Sequence, residues 1–157
     1  STDEIIRTLV KVVSRGGSLL LNVAPGPDGR LDSTAYVRLK EVGEWLKVNG
    51  EAVYGTRVSK YTTPSASLGS SEKARHSNGK VEQHFMYVFL DGSATEARMD
   101  MHSARKAPEV RLLGSASPLK MQKIIDTGVV LIPADPDPGR VRVLRISARL
   151  PIGLKKL

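Results

Sequence analysis

Cysteine is absent from this 157-residue sequence, and aromatic residues make up only 4% of it. Without thiols the chain forms no disulfides, thiolate nucleophiles or zinc–cysteine sites. The scarcity of aromatic residues disfavours a module that stacks sugars on exposed rings. No run approaches the ~18 consecutive apolar residues of a membrane-spanning helix, so we expect no membrane contact. The acidic first ten residues lack the basic region of a secretory signal, so we expect no targeting peptide there.

Basic residues exceed acidic ones, giving a net charge of +8, and most of the excess comes late in the chain. After residue 60 there are fifteen Lys and Arg against nine Asp and Glu. The last eighteen residues contain no acid and carry Arg140, Arg142, Arg145, Arg149, Lys155 and Lys156. Such a segment can bind nucleic-acid phosphates or an acidic partner. A solvated strand face with a loose end is the more ordinary interpretation.

The first 50 residues show the pattern helix, strand, helix. Apolar residues recur at helical spacing over 1–15, where Ser1 and Glu4 have the spacing of a capping box, and Gly16 and Gly17 follow. Residues 18–23 have apolar side chains at both odd and even positions, as in a strand that is covered on both faces. Asn22 lies near the end of this run, before a Pro- and Gly-rich turn. Asp32 or Ser33 can cap a second helix to about residue 48, with the apolar stripe Leu39, Val42, Trp45 and Leu46. A lone strand needs neighbours, so this segment must dock against something larger.

The second half of the sequence differs from the first in composition and pattern. Residues 59–80 are rich in Ser, Gly, Lys and Thr, which favours a mobile connection. Short β-like runs follow at 84–90, 109–113, 128–132 and 140–147. The last run alternates, with Val141 and Val143 opposed by Arg140, Arg142 and Arg145, which predicts a half-buried antiparallel strand. A small antiparallel β-sandwich is therefore expected.

The first 57 residues contain two long motifs, VVSRGGSLLLNVAPGPDGRL and RLKEVGEWLKVNGEAVYGTR. Together they resemble the end of the catalytic domain of α-L-fucosidases, glycoside hydrolase family 29. The first matches the family at Gly16, Gly17, Leu19, Leu20, Leu21, Asn22, Pro25, Asp28 and Gly29. The second matches it at Gly43, Glu44, Trp45, Leu46, Lys47, Asn49, Gly50, Glu51, Ala52, Tyr54, Gly55, Thr56 and Arg57. The later segments MYVFLDG, VRLLGSASPLKMQ and TGVVLIP are similar to the family's sandwich strands.

This resemblance implies an α/β fragment, the last strand and flanking helices of a (β/α)8-like barrel, followed by an antiparallel β-sandwich. The implied divisions are 1–57 for the barrel end, 58–80 for a flexible connection, 81–150 for the sandwich and 151–157 for a basic tail. Asn22 would lie near the carboxyl end of the closing strand, the face where such barrels assemble active sites. It would bind a sugar hydroxyl of the substrate, hold a neighbouring catalytic loop, or cap the following turn.

The resemblance also implies that the family's nucleophilic aspartate, acid/base carboxylate and fucose-binding histidines lie upstream of these motifs. We therefore assign no catalytic residue in this chain. The local carboxylates suit structural roles: Asp28 and Asp32 a turn and a helix cap, Glu41 and Glu44 a helix surface, and Glu51 an ion pair. The histidines His76, His84 and His102 lack metal-ligand spacing, so no metal is expected. The family's mechanism needs no cofactor.

Three functions remain open from the sequence. The first is the C-terminal portion of a retaining α-L-fucosidase that acts on terminal fucose of glycans, with the rest of the barrel as partner. The second is a non-catalytic structural subunit derived from such an enzyme, within a larger assembly that can include nucleic acid. The third is a carbohydrate-binding sandwich, for which the aromatic residues after Tyr61 are Phe85, Tyr87 and Phe89. These three side chains lie at alternate positions of one strand and so share one of its faces, which is more typical of core residues.

Overall fold

Two helices occupy the N-terminal third of the chain. In a computed structural model, which describes residues 1–60, 65–77, 80–100 and 107–148, α1 runs over Thr2–Val13 and α2 over Ser33–Asn49. Ser1 and Glu4 cap α1 through a reciprocal capping box, in which the Glu4 amide donates to Ser1 Oγ over 3.3 Å. The Thr34 amide donates to Asp32 Oδ1 over 2.7 Å and caps α2. Both predicted helices are confirmed, with their caps.

Eight strands follow within these described ranges and form two antiparallel sheets. They are β1 (Arg57–Val58), β2 (Ser70–Ser77), β3 (Lys80–Leu90), β4 (Glu96–Asp100), β5 (Glu109–Leu112), β6 (Met121–Ile124), β7 (Thr127–Leu131) and β8 (Arg142–Ala148). One sheet has the order β1-β2-β3-β8-β5 and the other β4-β7-β6. A short 3₁₀ helix, Gly50–Ala52, joins α2 to the first sheet. The four predicted β-like runs thus lie in β3, β5, β7 and β8.

The five-stranded sheet is the middle of three layers, with the helices on one side and the smaller sheet on the other. The period-2 alternation of β3 produces this division. Met86 and Val88 pack in the core between the two sheets. Tyr87 and Phe89 pack on the opposite face, in a second core with Trp45 of α2. The middle sheet is therefore apolar on both faces where the layers overlap.

The strand expected over residues 18–23 is not formed. The chain between α1 and α2 makes only one isolated bridge, between Pro25 and Leu31. Leu20 is 84% exposed and Leu21 43% exposed, although both were expected to be buried. A strand needs a neighbouring backbone for its hydrogen bonds, and none of the strands in the described parts of the chain lies beside this segment.

The segment 58–80, expected to be a flexible connection, contributes β2 to the middle sheet. Several of its polar residues are buried, although Lys73 and Arg75 are exposed. Ser71 Oγ donates to the Ala52 carbonyl over 2.7 Å, and Glu72, 1% exposed, accepts from Arg57 Nε over 2.8 Å. Small hydroxyls and a paired carboxylate can fill a sheet face without apolar content. Residues 61–64 and 78–79 of this segment lie outside the described ranges.

The half-buried character expected for β8 is wrong over residues 142–144, which are buried on both faces of the sheet, whereas Arg145 is partly exposed. Val143 faces the helices, and Leu144 and Ile146 face the smaller sheet. Arg142, expected in solvent, is 6% exposed and donates to the carbonyls of Pro133 and Ala94 over 2.5 and 2.6 Å. A buried guanidinium is tolerated there because backbone carbonyl oxygens accept hydrogen bonds from its N–H groups. The expected tail at 151–157 and His102 lie outside the described residues.

Candidate functional site

Asn22 is exposed and stands between the uncovered Leu21 and a well-ordered turn. The turn is closed by its own residues: the Gly26 amide donates to the Arg30 carbonyl over 2.8 Å, and the Arg30 amide donates to Asp28 Oδ1 over 3.1 Å. Gly29 has a φ of 76°, a conformation that favours glycine. The turn's hydrogen bonds are thus supplied from within residues 25–31. The structure places Asn22 at a surface, and among the described residues its side chain takes part in no hydrogen bond or ion pair.

Several large apolar side chains in this segment and in α2 are uncovered. Besides Leu20 and Leu21, these are Tyr36 and Val37 of α2, together with Leu39, which was expected in the apolar stripe with Val42 and Trp45 but is 38% exposed. A cavity of about 190 Å³ lies between α1 and the segment and is lined partly by Ile5, Leu19 and Leu21. We call Leu20, Leu21, Tyr36, Val37 and Leu39 the open face. Uncovered apolar side chains of this size favour contact with another surface.

The carboxylates considered from the sequence have the structural roles expected of them. Asp28 accepts a turn hydrogen bond and Asp32 caps α2, and hydrogen bonds from the Thr34 side chain and amide lower the pKa of Asp32. Glu51 Oε1 lies 3.3 Å from Arg145 Nη1, the ion pair predicted for it. Glu41 accepts a hydrogen bond from the Thr2 hydroxyl. None of these arrangements gives two carboxyl groups a shared reacting position.

A groove of about 590 Å³ runs between the two helices and the loop that precedes β8, and sequence reasoning missed it. Its lining includes carboxylates from three separate parts of the chain: Asp3 of α1, Glu41 and Glu44 of α2, and Asp135 and Asp137 of the loop. No sequence spacing joins these residues, because only the layer packing brings them together. Within the described ranges, no group of His, Asp and Glu has the arrangement of a metal site.

Glu72 and His84 form a buried polar pair that the sequence did not indicate. His84 Nε2 lies 3.6 Å from Glu72 Oε2, and both side chains are at least 95% buried. The Lys60 amide donates to Glu72 Oε2 over 3.2 Å, and Arg57 Nε donates to Glu72 Oε1. Burial lowers the pKa of His84, which the Glu72 charge opposes and the Arg57 charge favours. This cluster ties β1, β2 and β3 together.

Two further ionisable groups are perturbed at the boundary between the layers. Arg7 Nη1 donates to Asp91 Oδ2 over 2.6 Å, and this bond lowers the pKa of Asp91 to about 2. Burial raises the pKa of Tyr87 to about 12. Both groups join secondary-structure elements and neither opens into the groove. In the described residues no helix is both long enough and apolar enough to cross a bilayer.

Comparisons with known proteins give one consistent result. Residues 1–51 match the family model described as alpha-L-fucosidase. Human plasma alpha-L-fucosidase is 31% identical over 131 residues, which are 82% of this chain and 27% of that protein. The alpha-fucosidase of Thermotoga maritima in complex with fucose has 26% identity and a TM-score of 0.64, over 93% of this chain and 34% of that one.

Alpha-L-fucosidase isoenzyme 1 of Paenibacillus thiaminolyticus shares the fold, with a TM-score of 0.70 at 24% identity, over 93% of this chain and 34% of that chain. The chain spans about a quarter of the length of the human relative and about a third of each of the two solved structures. The match includes both the helices and the sandwich, because it covers more than nine-tenths of this chain. The chain belongs to the α-L-fucosidase family, glycoside hydrolase family 29, and corresponds to a part of its longer relatives.

Proposed function

We propose that this chain is the barrel-closing and sandwich-bearing part of a retaining α-L-fucosidase that removes terminal fucose from glycans. In this proposal the chain is not catalytic by itself, and the rest of the barrel supplies the reacting groups. Retaining glycosidases need two carboxyl groups about 5–5.5 Å apart. The carboxylates that follow Asn22 in the sequence, those of Asp28 and Asp32, are held by the turn and the helix cap.

The observation that carries the proposal is the exposure of Leu20. An 84% exposed leucine lies in an apolar run that has no hydrogen-bonded neighbour over residues 18–23. Uncovered apolar side chains and unpaired backbone groups both favour an added strand alongside. The strands of a barrel, placed on both sides, satisfy both needs.

The open face supports the same partner. Trp45 and Val42 lie on the side of α2 that packs against the middle sheet. Tyr36 and Val37 point away from this sheet and are more than half exposed. A barrel helix has one side on the strands and another on neighbouring helices or loops. The proposal assigns the rest of the barrel to the open face.

Two alternatives are less well supported. A nucleoprotein subunit would use free basic groups, yet Arg142 is buried and donates its hydrogen bonds to carbonyl oxygens. A sugar-binding sandwich would use exposed rings, yet Tyr87 and Phe89 are at most 2% exposed. Both observations favour a structural role for these residues within a larger enzyme.

A segment exchange tests the proposal. The matched third of the Thermotoga maritima enzyme is replaced by this chain, and hydrolysis of 4-nitrophenyl α-L-fucoside is measured for the hybrid and for the chain alone. We expect activity only in the hybrid. Leu20→Asp in the hybrid should lower the soluble, active yield about tenfold or more, because it places a charge at the barrel seam. Ile125→Asp is the matched control, since Ile125 is 86% exposed on a hairpin of the sandwich.

Turnover by the chain alone would contradict the proposal, because it would require a carboxylate pair within these residues. Equal effects of Leu20→Asp and Ile125→Asp would contradict the assignment of the open face. For Asn22, we propose contact with the sugar. Asn22→Ala in the hybrid should then lower kcat/KM about tenfold at unchanged yield, because a buried hydrogen bond to substrate is lost. An unchanged kcat/KM would contradict contact with the sugar and would favour a role of Asn22 in supporting the turn.

A further inference from the structure

The helical layer leaves one end of the middle sheet uncovered. Strand pairing sets Lys73 opposite Phe85, Arg145 opposite Tyr87, and Arg111 opposite Arg145. Directly opposed residues share a face, so all of these side chains lie on the helix-facing side. Tyr87 is buried beneath the helices, whereas Phe85 is only half-buried and Lys73 is exposed. The layer therefore ends between Tyr87 and Phe85.

Phe85 is the centre of a group of basic side chains at this uncovered end. The Arg75 guanidinium of β2 lies 5.9 Å from the Phe85 ring centre, and that of Arg145 on β8 lies 5.6 Å from it. Each approaches from one of the two strands that flank β3. Such cation–π contacts hold guanidinium groups in place while leaving their N–H edges free to bind anions. We call Lys73, Arg75, Arg111 and Arg145, with Phe85, the basic face.

The basic face keeps an excess of positive charge after its ion pairs are counted. Arg145 lies 3.3 Å from Glu51, and Arg111 lies 2.5 Å from Glu109. Glu51 and Glu109 are the carboxylates paired with the basic face in the described parts of the chain, so two anions compensate four cations. The Lys73 ammonium donates to the Tyr54 carbonyl over 3.4 Å, which fixes its position without neutralising it. The cations form a row across β2, β8 and β5, about 14 Å wide at normal strand spacing.

We propose that the basic face binds the sulfate groups of a sulfated glycan, an inference that rests on the proposed glycan-processing function. Guanidinium groups bind tetrahedral oxyanions through paired N–H bonds, and a row of cations matches a linear chain with anions at intervals. Single-stranded nucleic acid would instead stack bases on an open ring. Phe85 offers little open ring, because guanidinium groups approach it from both neighbouring strands. Charge complementarity and geometry together favour the sulfated glycan.

The test measures binding of a heparin octasaccharide to the full chain at 0.15 M salt by titration calorimetry. The double variant Arg75→Ala/Arg145→Gln should weaken binding about tenfold or more, since two charge-assisted contacts are lost. The matched control is Lys120→Ala/Lys123→Ala, which removes the same charge at exposed positions at β6, in the other sheet. It should change affinity less than about threefold. The fully desulfated octasaccharide should not bind.

Several results would overturn the proposal. If the two double variants weaken heparin binding equally, the octasaccharide is attracted by the net charge of the chain and not by the basic face. A single-stranded DNA octamer that binds as tightly, with the same loss on Arg75→Ala/Arg145→Gln, would make the basic face a nucleic-acid site. Absence of heparin binding would also refute it. If the double variant fails to fold by circular dichroism, Arg75→Ala alone, at an exposed position, should still weaken binding about threefold.

This binding test is independent of the test of the proposed function. A hybrid that hydrolyses the fucoside but binds no heparin octasaccharide would refute the basic face alone. A chain that binds the octasaccharide while the hybrid is inactive would instead count against the barrel assignment.

Discussion

Trp45 donates its indole N–H to the carbonyl oxygen of Val141 over 2.8 Å, and this buried bond fastens α2 to the start of β8. Replacing Trp45 with Phe keeps a ring in the core but removes the donor. We expect the free energy of unfolding to fall by about 1–2 kcal/mol, the usual cost of losing a buried hydrogen bond and some packing. Urea unfolding of the purified protein measures this. Tyr36→Phe on the exposed side of α2 is the control and should change stability by less than ~0.5 kcal/mol.

The Arg7–Asp91 pair predicts a loss of stability in acid. The pKa of Asp91 lies at about 2 in the folded chain against 3.8 for the free group. The stabilisation is therefore present above about pH 4 and is lost as the pH falls toward 2, when the folded carboxylate also takes a proton. Because the Asp91 side chain is 38% exposed, screening should reduce the effect to about 1 kcal/mol or less. Thermal melts from pH 5 to 2 should show this step, and Asp91→Asn should remove it.

Buried His84 predicts a second, separate pH dependence near neutrality. Burial lowers the pKa of His84, so the unfolded chain takes up a proton near pH 6.5 that the folded chain does not. Because the unfolded state then binds more protons, stability should decline as the pH falls below about 6.5. Melts between pH 7.5 and 5.5 should show the decline, and His84→Gln should flatten it. An equal slope in the variant would assign the dependence to other groups.

Gly92 and Gly43 predict opposite responses to alanine. A Cβ at Gly92 would lie 2.3 Å from the Arg140 carbonyl oxygen and 2.5 Å from that of Pro138, and backbone atoms cannot move aside easily. Gly92→Ala should therefore cost ~2 kcal/mol or more. At Gly43, inside α2, a Cβ would meet nothing within 4 Å, so Gly43→Ala should stabilise the helix by ~0.5–1 kcal/mol. Denaturation midpoints of the two variants should move in opposite directions.

Ile125 occupies a conformation that is unfavourable for a β-branched residue. Its φ is 56°, in the two-residue turn that pairs Ile124 with Thr127. Asparagine and glycine are preferred at such positions, so Ile125→Asn should stabilise the hairpin by about 1 kcal/mol. A rise in the melting temperature tests this. Ile124→Asn, in the adjacent strand position, should give no gain, and an equal gain there would assign the effect to lost surface hydrophobicity.

Local patterns predicted the elements whose stability is local. The capping box at Ser1, the cap at Asp32 and the alternation of Phe85, Tyr87 and Phe89 each depend on residues within a few positions, so the sequence was sufficient for them. The family resemblance likewise depended on contiguous motifs, and the comparisons confirm it. For the candidate site, Asn22 could be named from the sequence, and its role in substrate binding stays a prediction.

The wrong predictions concern elements whose environment comes from distant parts of the chain. Residues 70–77 looked like a solvated linker because they are polar, but β1 and β3 supply the partners that bury Glu72. The groove between the helices and residues 135–142, and the basic face around Phe85, join residues that are distant in the sequence, by up to about 140 positions in the groove, so only layer packing creates them.

The sequence by itself determined the family, the two capped helices and the strand alternation, because capping, periodicity and contiguous motifs act over short separations. Only the tertiary structure decided which polar residues are buried and which apolar residues stay uncovered. Arg142 is buried because the carbonyls of Ala94 and Pro133 converge on it, and Leu20 is exposed because no strand of the described chain lies beside it. Burial depends on what the rest of the fold places next to a residue, and that is a property of packing.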